Sequence, residues 1–260
     1  LRLTRRFAPD LYLGVSRIGG STEQPRVDED GPAIEYAVRM RRFAAEDELA
    51  ALLEAGRVTE DDVAALGAVI AHFHEAAAGA PAGTTFGAPA TVHRVTLDNF
   101  DELRTLPEAA PWAGRIAALE SRVTEMHAAL SSFMTQRRAT GLVREGHGDL
   151  HCGNVVRWQG RLTPFDGIEF DPKLRFVDVV NDIAFLTMDL AERGHAGLRR
   201  AVLQAWTETL GDWPGLRLLP YYETYRALVR AKVAALRARQ LPPDAAHRAE
   251  AVQDSLRYLD

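Results

Sequence analysis

The sequence predicts an α+β protein with a small β-containing start, a large and mainly helical body, and one β-hairpin inserted into that body. Three observations carry this reading: strand-like runs rich in Val, Ile and Tyr near the start, apolar residues at helical spacing from Glu46 onward, and a short strand pair around Gln159-Gly160. With 260 residues and 47% hydrophobic content, the chain can bury a substantial core.

Residues 11–18 and 33–40 read as two antiparallel strands, separated by Gly19-Gly20 and the polar loop 23–32. Leu49, Leu52 and Leu53 fit one helix. Thr59-Glu60-Asp61-Asp62 opens the next, which carries Val63, Leu66, Val69, Ile70 and Phe73; Thr59 and Asp62 form a capping box in which Asp replaces the usual Glu or Gln. Residues 79–89, rich in Pro, Gly, Ala and Thr, read as a loop. Helices follow at about 97–106 and 112–138, the second with Ile116, Leu119, Val123, Met126, Leu130 and Phe133 at helical spacing. Residues 155–158 and 161–165 form the hairpin, and helices are expected at 179–191, 197–210, 220–239 and 245–259.

The charge is mixed: 31 basic and 36 acidic residues are spread along the chain for a net charge of −5, so nucleic acid is not an expected partner. Cys152 is the single cysteine, which excludes an internal disulfide framework. With neither a signal-like start nor an apolar run long enough to cross a bilayer, the expected setting is reducing and cytoplasmic, with no membrane partner. Lys173 and Lys232 are the only lysines, and arginine supplies the remaining basic side chains.

The most informative stretch is Glu145-Gly146-His147-Gly148-Asp149-Leu150-His151-Cys152-Gly153-Asn154, followed by Thr163-Pro164-Phe165-Asp166. Its order suits phosphoryl transfer, which needs a positioned acceptor and metal charge over the phosphate oxygens rather than covalent help. Asp149 is placed to take a proton from a hydroxyl. Asn154 and Asp166, at the outer ends of paired strands, supply the one or two oxygens that magnesium needs. His147 would brace the loop, and Asp182 would do so from the start of the next helix. Two other readings compete: a polar loop whose Asp and Asn cap turns, and a transition-metal cluster of His147, Asp149, His151 and Cys152. Asp178 and Asp182 also suit helix-start capping whatever the function. His72 and His74 read as core or surface residues and Cys152 as packing, while Tyr221, Tyr222, Tyr225, Arg226 and Arg230 fit a packed and solvated face as well as an acceptor pocket.

His147-Gly148-Asp149-Leu150-His151-x-Gly153-Asn154, the strand pair, Phe165-Asp166 and Asp182-Ile183-Ala184-Phe185 together resemble the aminoglycoside phosphotransferase and choline kinase-like branch of the protein-kinase-like fold. Arg144 to His151, Ile168-Glu169-Phe170 and Tyr225 to Lys232 resemble more narrowly a bacterial subgroup, some members of which carry a downstream P-loop domain. The resemblance implies ATP and Mg2+ as cofactors, a small-molecule hydroxyl acceptor, Asp149 as catalytic base, and Asn154 and Asp166 as metal ligands. It also implies a partial N-lobe and hinge over residues 1–43 and a helical C-lobe over 44–260. Within the hinge, the backbone around Tyr36, Val38, Met40 and Arg41 would meet adenine. The start of the chain departs from the pattern: residues 1–6 resemble the end of the N-lobe helix, and no lysine precedes Lys173. The strand lysine that grips the nucleotide phosphates in such kinases is missing here, so either about sixty residues' worth of strand and helix lies upstream, or Arg5 or Arg6 stands in for it. Without it, the alternative is a nucleotide-binding or regulatory module that does not turn over.

Overall fold

A single helix, Val179–Glu192, organises the molecule, and every residue from 179 to 190 is buried. A helix apolar all round belongs in a core, and the polar residues it carries there must find partners inside the protein. In this computed structural model, which describes residues 1–242 and 246–259, those partners belong largely to the loop that holds the His147 motif.

The chain opens on a short 3-10 turn, Thr4–Arg6, and a three-stranded antiparallel sheet follows. Its strands are β1 (Tyr12–Gly20), β2 (Pro25–Val27) and β3 (Glu35–Met40), in the order β2-β1-β3. Two strands were expected and three form, because β1 runs through Gly19-Gly20, where Gly19 pairs with Arg26 and Gly20 with Pro25. The first six residues form one tight turn rather than the tail of an α-helix.

The body begins with α1 (Leu49–Glu54) and α2 (Glu60–Ala76). The capping box forms as expected: Thr59 Oγ1 accepts from Asp62 N at 3.1 Å, and Asp62 Oδ2 accepts from Thr59 N at 2.9 Å. Helix α3 (Pro89–Arg104) starts well before the expected residue 97. Pro89 ends the loop and also opens the helix, since its fixed φ and missing N–H suit the first helical position. Then come α4 (Ala113–Ala139), β4 (Val143–Glu145), the hairpin β5 (Val155–Trp158) and β6 (Arg161–Pro164), and the one-turn α5 (Pro172–Arg175). Positive φ at Gln159 and Gly160 makes the two-residue hairpin turn. Strand β7 (Phe176–Asp178) pairs with β4, a three-residue ladder too short for periodicity to reveal.

The central helix is α6, followed by α7 (Ala196–Leu210), α8 (Leu219–Gln240) and α9 (Ala246–Arg257). Ala245, the expected start of the last helix, lies outside the described residues. Helices make up about 60% of the chain, so the α+β, mainly helical class holds. Among the described residues no helix is long and apolar enough to cross a membrane.

Two hydrophobic clusters divide the interior. The large one joins α1 to α4 with α6 to α9; the small one joins Ala8, Leu11 and Tyr12 to Val156 of the hairpin, with Met40, Phe43 and Phe165 against it. The N-terminal sheet therefore leans on the hairpin. A buried ion triad stitches the helical side, where Arg137 of α4 reaches Asp178 at 2.7 Å and Asp212 at 2.6 Å. Burial opposes the Arg137 charge, and its bonds to the two carboxylates outweigh that, raising its pKa above the ordinary value. Asp178 also caps α6 by accepting from Val180 N, the structural role expected of it.

Candidate active site

Two carboxylates on α6 hold the His147–Asn154 loop. Asp182 Oδ2 accepts from His147 N at 2.7 Å and Asp182 Oδ1 from Gly148 N at 2.8 Å, while Asp189 Oδ2 accepts from Cys152 N at 2.9 Å. Positions seven apart lie on one face of a helix, so one rigid element fixes both ends of the loop. Asp182 braces the loop, as expected, rather than capping its own helix. A third bond comes from a residue that sequence reading left as an ordinary core or surface histidine. His74, fully buried on α2, lies with Nε2 3.0 Å from Asp182 Oδ2, and its Nδ1 accepts from Trp206 Nε1 at 3.0 Å. Because indole N–H can only donate, the ring proton of His74 sits on Nε2 and points at Asp182. His72, by contrast, is exposed. Burial opposes the Asp182 charge, yet the His74 hydrogen bond and the nearby His74 and His147 rings hold its carboxyl well below the usual carboxylate range.

This close approach explains the glycines. A Cβ on Gly146 would lie 2.6 Å from Asp182 Oδ2 and 2.9 Å from its Cγ, and Asp182 is pinned by three bonds. Gly148 has φ of 85°, and a Cβ there would meet Leu174 O at 2.8 Å. We expect Gly146→Ala to cost about 1–3 kcal/mol in urea unfolding, the usual penalty of overpacking a site that cannot relax. Gly114→Ala, with nothing within 4 Å of the added methyl, is the contrasting variant and should leave stability unchanged or slightly raised.

Asp149 sits half-buried at the loop's centre. Its Oδ2 accepts from Asn154 Nδ2 at 2.9 Å and lies 3.5 Å from His151 Nε2. His151 Nδ1 accepts from Gly153 N, so its ring proton is on Nε2 and faces Asp149. Burial works to raise the Asp149 pKa, but the His151 hydrogen bond and the electrostatic pull of the His151 ring, the Arg226 guanidinium and the His147 ring prevail and lower it. Asp149 is thus an ionised carboxylate at neutral pH. His147 is buried, and burial lowers its pKa; its Nδ1 accepts from Asp149 N at 3.3 Å, so Nε2–H donates to Phe165 O at 2.8 Å. That bond ties the loop to the end of the hairpin.

The hairpin brings Asn154 and Asp166 to one end, as its register requires: Val155 pairs with Pro164, and Phe165 N donates to Asn154 O at 2.9 Å. Asp166 is exposed, with φ of 59°, a left-handed conformation that Asp tolerates better than most side chains. Its backbone N–H donates to Tyr12 Oη at 2.8 Å, which joins the N-terminal sheet to this corner.

A cavity of about 380 Å³ opens here, lined by Asp149 and Asp166, by Thr4 and Tyr12, by Val38 and Met40, and by residues 167–170. Of the four residues expected to meet adenine, Val38 and Met40 line it, whereas Tyr36 and Arg41 do not. Residues 35–40 form the edge strand β3 rather than a connection; Tyr36 is 62% exposed, and Arg41 bonds back to Leu11 O and Asp10 O. The connecting segment itself is 41–44. Neither Arg5 nor Arg6 lines the cavity. Arg5 donates to Tyr12 O and Leu13 O, and Arg6, with Arg2 and Arg175, surrounds the buried Glu145. Sequence reading missed that cluster, as it missed Thr4 and Tyr12, since nothing in their local pattern marks a long-range partner.

The late-helix residues behave mainly as packing. Tyr221 and Tyr222 are buried, and buried Arg226 donates to Gly148 O at 2.9 Å and Asn181 O at 3.2 Å, so it supports the loop from behind. Cys152 is buried, and desolvation together with Asp189 pushes its thiol pKa well up, so it is a packing residue. Among the described residues no three His, Cys, Asp or Glu side chains converge as a metal cage. For the zinc reading this is adverse, since both nitrogens of His147 are already engaged and the Cys152 thiol is held neutral. Magnesium asks for fewer protein ligands.

No family model matches the chain. Over 257 residues it is 32% identical to proteins of Mycobacterium bovis and of two strains of Mycobacterium tuberculosis, each described as an uncharacterized protein. The match covers 99% of this chain and 49% of each relative, so the chain spans about half the length of the curated relatives it matches.

Proposed function

We propose that this is the catalytic lobe of a small-molecule kinase of protein-kinase-like fold, which moves the γ-phosphate of ATP to a hydroxyl. The observation that carries the reading is the convergence of an ionised Asp149, bonded to Asn154, and an exposed Asp166 on one cavity whose other wall is apolar Val38 and Met40. The donor set fits magnesium: an exposed carboxylate and a neighbouring amide oxygen are hard ligands in the small number that ion prefers. Bound between Asn154 and Asp166, it would lay positive charge over the phosphate oxygens.

Asp149 would accept the acceptor's hydroxyl proton as the new O–P bond forms and the bond from the γ-phosphorus to the bridging oxygen breaks, with ADP as the leaving group. A carboxylate with a lowered pKa is a weak base, but a loose phosphoryl-transfer transition state asks mainly that the hydroxyl be oriented and its proton removed late. Asn154 and His151 fix the carboxylate's direction, and α6 fixes the loop. Val38 and Met40 offer an apolar wall to a base, and the cavity lies within the usual size range of small-molecule sites.

A second reading rests on one specific observation. Among the described residues the cavity lining includes neither Lys nor Arg, so a nucleotide-binding module without turnover also fits. Mg-ATP should raise the melting temperature under both readings. Release of ADP with a panel of hydroxylated acceptors separates them: turnover supports the kinase, and binding without turnover supports the module. The cytoplasmic setting and a further P-loop domain in the longer protein belong to the same proposal.

A further inference from the structure

A second pocket has a lining in which apolar Val92, Val95, Phe176 and Val177 sit with two exposed cations, Arg94 and Lys173. It is enclosed by the start of α3, with Gly87, Thr91 and Arg94, by Lys173 and Leu174, and by Asn181 and Tyr225. Two features of this pocket favour an anion, and a third marks a missing hydrogen-bond donor.

First, α3 is a 16-residue helix whose N-cap, Ala88, provides no side-chain cap; Pro89 has no N–H and Val92 N is bonded to Ala88 O, which leaves the N–H groups of Ala90 and Thr91 for an outside acceptor, and Thr91 lines the pocket. Second, Arg94 and Lys173 are exposed at the pocket, and neither side chain forms an ion pair or side-chain hydrogen bond among the described residues. The one carboxylate in the lining among the described residues, Asp178, is paired with Arg137, whose Nε and Nη2 reach its two oxygens, although Arg137 is shared with Asp212. Third, Asn181 is only 4% exposed, and its Oδ1 has no hydrogen-bond partner among the described residues. A buried amide without partners is costly, and such groups mark places where something outside the chain completes the network. Behind it, buried Arg226 donates to Asn181 O and leaves its own Nη2 unpartnered, which adds positive potential.

We propose that this pocket binds the oxyanion head of a small molecule, a phosphate or carboxylate, held by Arg94, Lys173 and the Thr91 N–H in the first turn of α3. A protonated oxygen on that head, or the substituent that bears it, would supply the donor that Asn181 Oδ1 lacks. The accessible space is about 60 Å³. One water needs roughly 10–15 Å³ on that measure, so a head group fits and a nucleotide does not. The site stands independently of the phosphotransfer reading, although its wall reaches the loop: Leu174 O lies against Gly148, and Arg226 bridges Asn181 to Gly148 O.

The test is amide NMR on the purified protein without nucleotide, titrated separately with inorganic phosphate and with acetate. We expect saturable shifts of the Thr91 amide and the Asn181 side-chain NH2, with the two titrations showing which oxyanion geometry is preferred. Arg94→Ala with Lys173→Ala should weaken that binding by roughly tenfold or more, in line with loss of charge-assisted hydrogen bonds. Arg122→Ala, an exposed arginine on α4, should leave it unchanged, and Asp149→Asn should too, which separates this site from the kinase proposal. Absence of saturable shifts with either anion at tens of millimolar, or equal weakening by Arg122→Ala, overturns the proposal.

Discussion

Asp149→Asn is expected to reduce ATP turnover with a competent acceptor by about 10²–10⁴-fold, the usual contribution of a positioned general base. The substitution keeps the shape of the side chain and removes its ability to take a proton. Because Asp149 touches the fold through Asn154 and His151 at a half-buried position, its melting temperature should stay close to that of the parent. Mg-ATP binding should hold within a few-fold, since in the proposed function the metal oxygens would come from Asn154 and Asp166. The pH profile adds a separate readout. The Asp149 pKa lies below the ordinary carboxylate value, so the base is ionised throughout the neutral range and its titration should cause no loss of rate between about pH 5 and 8. Unchanged turnover in the Asn variant would remove Asp149 from the chemistry.

Asp182→Ala is expected to cost about 3–5 kcal/mol in stability, the range seen when a buried, charge-assisted network loses its acceptor. Three donors would be stranded in the core: the N–H groups of His147 and Gly148 and the Nε2–H of His74. Asp182→Asn should not rescue it, because the new NH2 would face a donor, and His74 cannot exchange tautomers while Trp206 holds Nδ1. The sign of the pH dependence follows from the lowered pKa of Asp182. Its contribution is present above the unfolded carboxyl value of about 3.9, and it is lost as pH falls from there through the folded value. The parent should therefore lose stability more steeply below about pH 4 than Asp182→Ala does. Parallel acid-unfolding curves for the two proteins would contradict this account.

The two predictions divide the motif by distance from α6. His147 and Gly148 are structural because the helix carboxylate reaches their backbone, and Asp149 is free for chemistry because that carboxylate stops one residue short of it. The spacing of the motif shows which residues are candidates. The hydrogen bonds separate the residues that brace the loop from the one that the proposed function uses as a base.

Much of this was legible in the sequence because it depends on local order. The Thr59 capping box, the Gln159-Gly160 turn, and the meeting of Asn154 with Asp166 follow from short-range geometry, as does the helical course of α6 to α8. Other features escaped because they depend on pairs far apart. The three-residue β4 and β7 ladder has too few positions for a period. His74 and Asp182 are 108 residues apart, and neither residue signals the other. The early start of α3 was missed because Pro89 was read only as a loop residue, although proline opens helices as readily as it ends them.

The sequence by itself determined the α+β class, the hairpin that gathers Asn154 and Asp166, and the glycines that let the loop pass close to a carboxylate. Periodicity, turn chemistry and backbone freedom are properties of neighbouring residues, so they can be read in order along the chain. Only the tertiary structure decided which carboxylates are buried supports and which face a cavity, that Val38 and Met40 line it while Tyr36 and Arg41 do not, and that, among the described residues, Asn181 Oδ1 has no partner and Arg94 and Lys173 form no ion pair. Those outcomes depend on burial and on long-range partners, and the same aspartate is a brace or a base according to what the fold packs against it.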